Sequence, residues 1–192
     1  MNDSTCLAVG RSSVLVIAGA GATWQLSSLG TTYDLHGITC AGSRVCLAVG
    51  TSVDNTNRQY GAILASGDGG HTCQRRTPGI LGALHGIACI GSDCVAVGEE
   101  GSIVVSNDGG ATWLSVGNPF YTISTLYGVT CTGSTCLAVG EYGTILASSD
   151  DGTTWRSQSS GTTNDLNGVT CPTSRACLVV GNSGTILAGR PK

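Results

Sequence analysis

The chain has 192 residues, of which 30 are Gly, 10 are Cys, 9 are Lys or Arg and 12 are Asp or Glu, for a net charge of −3. A charged fraction of 11% disfavours long helices, which draw heavily on Glu, Lys and Arg, and an acidic balance leaves no electrostatic footprint for nucleic acid. Apolar residues at 41% suffice for a core and exclude wholesale disorder; no apolar run approaches the roughly 18 residues of a membrane span, and Met1–Thr5 shows neither the basic nor the apolar part of a signal peptide.

Along the chain, the first apolar run is CLAVG at Cys6, followed by VLVIA at 14–18 and by Thr23-Trp24. A different run, L-x-G-[IV]-[TA]-C, then ends at Cys40, and a fixed order sets in. CLAVG returns at Cys46, AILAS follows at 62–66, and a turn leads to Thr72-Cys73. The third round has LHGIAC ending at Cys89, CVAVG at Cys94, SIVVS at 102–106 and Thr112-Trp113. The fourth has LYGVTC ending at Cys131, CLAVG at Cys136, TILAS at 144–148 and Thr154-Trp155. The fifth has LNGVTC ending at Cys171, CLVVG at Cys177 and TILAG at 185–189. Successive CLAVG-type runs are 40, 48, 42 and 41 residues apart.

The unit is therefore about 42 residues long, with four short apolar runs: A (LxGVTC), B (CLAVG), C (GTILAS) and D (TWxxxxS). The runs are short, rich in β-branched or small apolar residues, and separated by Gly, Ser, Asn and Asp, which is a strand-and-turn pattern. Four-stranded units of about 40–45 residues are what a β-propeller repeats around its axis. A single such sheet has two apolar faces and needs neighbours to cover both. The sequence thus predicts an all-β, single-domain propeller of five units, 1–34, 35–83, 84–125, 126–165 and 166–192. The first lacks run A and the last lacks run D. Missing edge strands expose unpaired backbone groups that invite another chain.

Eight cysteines pair by position: Cys40 with Cys46, Cys89 with Cys94, Cys131 with Cys136, and Cys171 with Cys177. Each pair ends run A and opens run B across a short hairpin turn, where side chains come within bridging reach. Zinc is the competing reading, but structural zinc takes four ligands and each unit supplies two. Disulfides are favoured, and with them an oxidising location: extracellular, cell-surface or periplasmic. Cys6 has no run A partner and is expected to be a lone thiol. Cys73 stands where other units have Trp and is expected to act as a small buried apolar group.

The turns between runs C and D read SGDGGHTC (66–73), SNDGGATW (106–113) and SSDDGTTW (148–155). Asp68, Asp108 and Asp150 can accept amides of their own turn. Gly70, Gly110 and Gly152 can take a positive φ, and Trp113 and Trp155 can pack between strands. In the first unit the turn has decayed, with Gly19 in the Asp position and Trp24 retained. These turns resemble the Asp-box, S-x-D-x-G-x-T-W, of sialidases and related (BNR-type) propellers. The wider repeat is similar to bacterial propeller repeats grouped with the photosystem II stability/assembly factor family. The resemblance implies a structural role for these turns, on the face away from any ligand site. A sialidase-like reading also asks for an arginine cluster and a Tyr/Glu nucleophile pair; no three of the arginines recur at matching places on the opposite face. No Ser-His-Asp ordering, phosphate loop or HExxH is present.

A ligand site is expected at the opposite end, where runs B and C join and run A begins. The x of L-x-G is His36, His85, Tyr127 and Asn167, with Asp34 and Asp165 two residues before the first and last of these. In a propeller these positions ring the mouth of the central channel. They could serve a small ligand or peptide, or a weak metal site at the two His, but a merely solvated rim, where polar residues are simply tolerated, is the favoured reading of these positions. Glu99, Glu100 and Glu141 fall at tight hairpin tips and are expected to be solvated. The reading taken forward is a binding or structural scaffold, not an enzyme, with no cofactor and no metal, and with a protein or glycan partner. Its rivals are a carbohydrate-binding or degenerate glycosidase-like module, an assembly factor for a membrane complex as the family resemblance implies, and self-association through the incomplete end units.

Overall fold

A run such as CLAVG is apolar at every position, whereas a strand with one wet face alternates. It suits a strand covered on both sides, and stacking of like sheets provides that cover. The computed structural model describes residues 5–11, 13–18, 25–28, 33–41, 44–116 and 124–190, with backbone alone for 5–8, 13–18, 25–28 and 41. Within these, five antiparallel sheets follow one another. The first contains β1 (Thr5–Gly10), β2 (Ser13–Ala18) and β3 (Gln25–Ser28). The second contains β4 (Tyr33–Ala41), β5 (Val45–Val53), β6 (Gln59–Ser66) and β7 (Gln74–Arg76). The third contains β8 (Leu84–Ile90), β9 (Asp93–Gly98), β10 (Ile103–Ser106) and β11 (Leu114–Ser115). The fourth contains β12 (Leu126–Thr132), β13 (Thr135–Gly140), β14 (Ile145–Ser148) and β15 (Arg156–Gln158). The fifth contains β16 (Leu166–Thr173), β17 (Ala176–Gly181) and β18 (Ile186–Gly189). Each strand pairs with its sequence neighbour. Runs A to D are thus strands in the order expected, and the fold is a β-propeller of four-stranded blades with three-stranded first and last sheets. Trp24 and Gly19 lie outside the described residues, as does the side chain of Cys6.

Four apolar layers separate the five sheets. Val9 meets Leu35, Ala48 and Leu64 between the first and second. Leu47, Val49 and Ile63 meet Leu84, Cys94 and Ala96 between the second and third. Val95, Val97 and Ile103 meet Leu126, Cys136 and Ala138 between the third and fourth. Leu137, Val139 and Ile145 meet Leu166, Cys177 and Val179 between the fourth and fifth. The pleat of run B explains the pattern: its Leu and Val point to the following sheet, its Cys and Ala to the preceding one. Large side chains of one sheet thereby nest against small ones of the next. Each buried Leu or Val contributes roughly 1.5–3 kcal/mol.

Two glycines of the unit are fixed by close approach. A Cβ on Gly50, Gly98, Gly140 or Gly181, the last residue of CLAVG, would overlap the carbonyl oxygen of Asp34, Ala83, Thr125 or Asp165. The Gly of L-x-G lets adjacent inner strands touch: a Cβ on Gly37 would lie 2.7 Å from the His85 oxygen, and one on Gly86 would lie 3.2 Å from the Gly128 Cα.

At the end where runs A and B join, disulfides link Cys40–Cys46, Cys89–Cys94, Cys131–Cys136 and Cys171–Cys177. The first three are direct cross-strand register partners. Cys73 is a free thiol packed against the layer of Leu35, Ala48 and Leu64, and its partial burial raises its pKa. The Asp-containing turns sit at this same end, since Gly69 N–H donates to Arg44 O, Gly109 N–H to Ser92 O and Asp151 N–H to Ser134 O. Asp68 accepts the Thr72 hydroxyl and amide and the Ser66 hydroxyl, and Asp108 and Asp150 repeat this with Thr112 and Ser106, and with Thr154 and Ser148. Trp113 and Trp155 donate their indole N–H to Gly110 O and Gly152 O, closing each turn.

Candidate functional site

Run A begins with a β-bulge in every sheet that has one. The register slips between Leu35 and Gly37, Leu84 and Gly86, Leu126 and Gly128, and Leu166 and Gly168. The residue left out of the ladder is His36, His85, Tyr127 or Asn167. A bulge bends the strand and re-aims the side chain it carries, and the touching glycines set neighbouring copies side by side. The side chains therefore meet across sheets. The His36 and His85 rings stack with centroids 4.9 Å apart and an interplanar angle of 24°. Tyr127 meets His85 edge-on at 5.7 Å and 60°.

His36, Tyr127 and Asn167 are each held by a hydrogen bond, and His85 lies between the rings of His36 and Tyr127. His36 Nδ1–H donates to Leu84 O at 3.0 Å, which fixes its tautomer and leaves Nε2 4.0 Å from the Asp34 carboxylate. Tyr127 Oη donates to Glu141 Oε1 at 3.1 Å. Asn167 Nδ2 donates to Asn182 Oδ1 at 2.7 Å, and Asn182 Nδ2 reaches Asp165 Oδ2 at 3.3 Å. Asp165 Oδ1 accepts the Tyr142 amide at 3.0 Å, tying the fifth sheet to the tip of the fourth. The sequence-predicted residues thus fall into two groups: His36, His85 and Tyr127 with Asp34 beside them, and Asn167 with Asp165.

Protonation follows from the surroundings. Burial, then the neighbouring His36, push the His85 pKa down, while Glu99 and Glu141 pull it up. The neutral imidazole wins, so two stacked rings coexist without like-charge repulsion. Burial and the hydrogen bond to the Glu141 carboxylate raise the Tyr127 pKa, so the phenol keeps its proton and donates it.

Glu99 and Glu141 do not sit free at hairpin tips, as the sequence suggested. Glu99 Oε2 accepts the Ala83 amide at 2.9 Å, and Glu141 Oε2 accepts the Thr125 amide at 2.9 Å. Each carboxylate clamps the segment entering run A to the 3-10 turn leaving run B, Glu99–Gly101 or Glu141–Gly143. The next residues, Glu100 and Tyr142, take φ of +54°, and Tyr142 stands 72% exposed beside the row. The signal for these clamps was present, since Glu follows CLAVG's Gly in two successive units. Among the described residues no three His, Cys, Asp or Glu side chains converge as metal ligands.

No family model matches the chain, and no curated relative does. Solved structures do resemble it. YCF48 bound to D1 peptide superposes with a TM-score of 0.68 at 18% identity, over 85% of this chain and 52% of that one. YCF48 from Cyanidioschyzon merolae gives 0.68 at 17% identity, over 88% and 57%. Human WBSCR16 gives 0.54 at 12% identity, over 98% and 63%. The chain spans about half the length of the YCF48 structures, and at these identities the likeness is one of fold.

Proposed function

We propose that this chain is a non-catalytic binding scaffold, and that the end bearing His36, His85 and Tyr127 holds an extended protein segment. The observation that carries the reading is the three-ring row built from three successive sheets by the same bulge. It presents amphipathic rings on a rigid base, flanked by the carboxylates of Asp34 and Asp165, which suits a peptide with apolar and basic side chains. The solved relative YCF48 holds a D1 peptide, which makes peptide capture a natural use of this fold. The tied carboxylates of Glu99 and Glu141 favour a scaffold over a paired-carboxylate glycosidase, and the Asp-box turns at the opposite end bear on folding.

The four disulfides support an oxidising extracellular or periplasmic setting. The fifth sheet also supports self-association. Leu178 and Val180 are 43% exposed and Ile186 is 68% exposed, although their counterparts in the fourth sheet, Leu137, Val139 and Ile145, are at most 8% exposed. The surface that receives the fifth sheet on the fourth is thus repeated and open on the fifth, ready for a sheet of a second copy.

The test of the main reading is selection from a random-peptide library beside a glycan array, using wild type and the H85A/Y127A variant. Enriched peptides that bind wild type and lose the variant support the reading. Peptides indifferent to the variant, or hits on glycans alone, refute it.

A further inference from the structure

Three of the four rim residues hydrogen-bond to the protein: His36 to Leu84, Tyr127 to Glu141 and Asn167 to Asn182. His85 has ring contacts to His36 and Tyr127 and, among the described residues, no hydrogen bond at either nitrogen. Comparison of the third and fourth sheets shows what this leaves open. Glu99 and Glu141 hold the same place in the repeat, and each accepts an amide through Oε2, that of Ala83 or of Thr125. The second oxygen of Glu141 takes the Tyr127 hydroxyl. The third sheet has His85 in the place of Tyr127, with no hydroxyl to give, and Glu99 Oε1 accepts no hydrogen bond among the described residues. Neither group is sealed away, since the buried side-chain polar atom that lacks a partner among the described residues is Arg76 Nε.

What stays open is a set of acceptors beside ring faces. His36, with its proton on Nδ1, presents a bare Nε2 4.0 Å from the Asp34 carboxylate. Glu99 offers Oε1, and the neutral His85 offers one nitrogen. The charges felt at His85 are those of His36, Glu99 and Glu141, with no Lys or Arg among them. These groups do not converge on a point as metal ligands do. The ligand that matches them is cationic, flat and rich in N–H donors without acceptors, which is the chemistry of a guanidinium. Ring faces add cation–π attraction. Building on the reading of this end as a peptide site, we propose that the opening beside His85 and Glu99 seats an arginine side chain of the bound segment. Its guanidinium lies on the ring row and donates to Glu99 Oε1, where Tyr127 donates to Glu141 one sheet further on. Asp34 on β4, Glu99 after β9 and Glu141 after β13 supply the negative surroundings, and Tyr127 on β12 closes the row. A bound cation favours neutral imidazoles, so protonation of His36 or His85 expels it.

The probes are Nα-acetyl-arginine amide, its neutral isostere Nα-acetyl-citrulline amide, and Nα-acetyl-lysine amide, added to the intact chain at constant ionic strength. Imidazole NMR signals report binding, with His71 in the Asp68 turn as the internal control at the opposite end. The arginine probe should shift His36 and His85 saturably, leave His71 still, and move the His85 titration to lower pH. The citrulline probe should bind about tenfold more weakly or worse, and the lysine probe should fall between. Glu99→Gln should weaken the arginine probe by about tenfold, whereas Glu100→Gln, beside it but outside the opening, should not. His85→Tyr supplies to Glu99 the phenol that Tyr127 supplies to Glu141. It should therefore lose the probe, read at His36, while melting no lower than wild type. Equal binding of arginine and citrulline probes, equal losses in Glu99→Gln and Glu100→Gln, or undiminished binding in His85→Tyr would overturn the proposal. Library peptides that need His85 and Tyr127 but show no preference for arginine would sink this inference and leave the peptide reading standing. An arginine probe that binds while no peptide is selected would do the reverse.

Discussion

Gly140→Ala isolates the contact that closes each unit. An added methyl would overlap the Thr125 carbonyl oxygen and stand 2.9 Å from the Leu126 Cα. Both obstacles are backbone, so no rotamer change relieves them. The Thr125 oxygen accepts the Glu141 amide at 3.0 Å, and the Thr125 amide is held by the Glu141 carboxylate at 2.9 Å, so displacing this segment disturbs the clamp as well. Overpacking costs about 1–3 kcal/mol and a weakened hydrogen bond about 1 kcal/mol, giving a loss of roughly 2–4 kcal/mol. Gly67 is the matched control: no heavy atom lies within 4 Å of its Cβ position and its φ is not left-handed. Gly67→Ala is therefore expected to add about 0.4–1 kcal/mol by narrowing the unfolded ensemble. Urea melts under non-reducing conditions read both changes as shifts in midpoint at constant slope. A loss under about 0.5 kcal/mol for Gly140→Ala, or equal effects at the two sites, would refute the close-approach argument.

Acid should loosen the Asp turns. Hydrogen bonds from the Thr72 or Thr112 hydroxyl, then from the threonine amide, hold Asp68 and Asp108 at about 2 against an ordinary 3.8. At Asp150 burial opposes the shift, but Thr154 and Ser148 outweigh it and the pKa is again lowered. Depressed carboxylates contribute stability above their unfolded pKa and lose it as pH falls through the folded value, so stability should decline from about pH 4 toward pH 2, and Asp108→Asn should flatten that decline in acid melts. His85 has the same sign in a higher window: with its folded pKa below the unfolded one, stability falls as pH drops below about 6.5. His36→Ala should raise the His85 value in an imidazole NMR titration; no change would remove the stacked pair as a cause. Removing one bridge with Cys89→Ser and Cys94→Ser should cost about 2 kcal/mol in a thermal or urea melt. Thiol titration in non-reducing denaturant should find two free groups, the ten cysteines less the eight bridged; four or more would contradict the pairing. Leu178→Lys with Val180→Lys should abolish any concentration-dependent mass in light scattering, and persistence of the association would place it elsewhere.

The strands were legible because run B repeats with no polar position, and because turns of Gly, Ser and Asp punctuate it at a constant period. The disulfides were legible because a hairpin leaves Cys131 and Cys136 one obvious partner each. The open fifth sheet followed from counting runs. The bulge at His36, His85, Tyr127 and Asn167 was not legible, since spacing within one strand does not reveal the register it takes against the next. For the same reason the side-chain contacts among the four rim residues were not legible: they join the first three and tie Asn167 to Asn182 and Asp165. Glu99 and Glu141 were misjudged because a charge at a tight turn looks solvated until the segment entering run A is seen lying across it, offering the Ala83 and Thr125 amides.

The account stands on inner strands that touch one another in sequence around an axis. In the structure the Cβ positions of Gly37, Gly86 and Gly128 lie 3.5, 3.2 and 3.4 Å from the Cα of Gly86, Gly128 and Gly168. A nuclear Overhauser experiment on the chain with glycines selectively labelled reads this directly. The account predicts Hα cross-peaks linking Gly37 to Gly86, Gly86 to Gly128 and Gly128 to Gly168; Hα protons of these four residues that see only their own strands would contradict it.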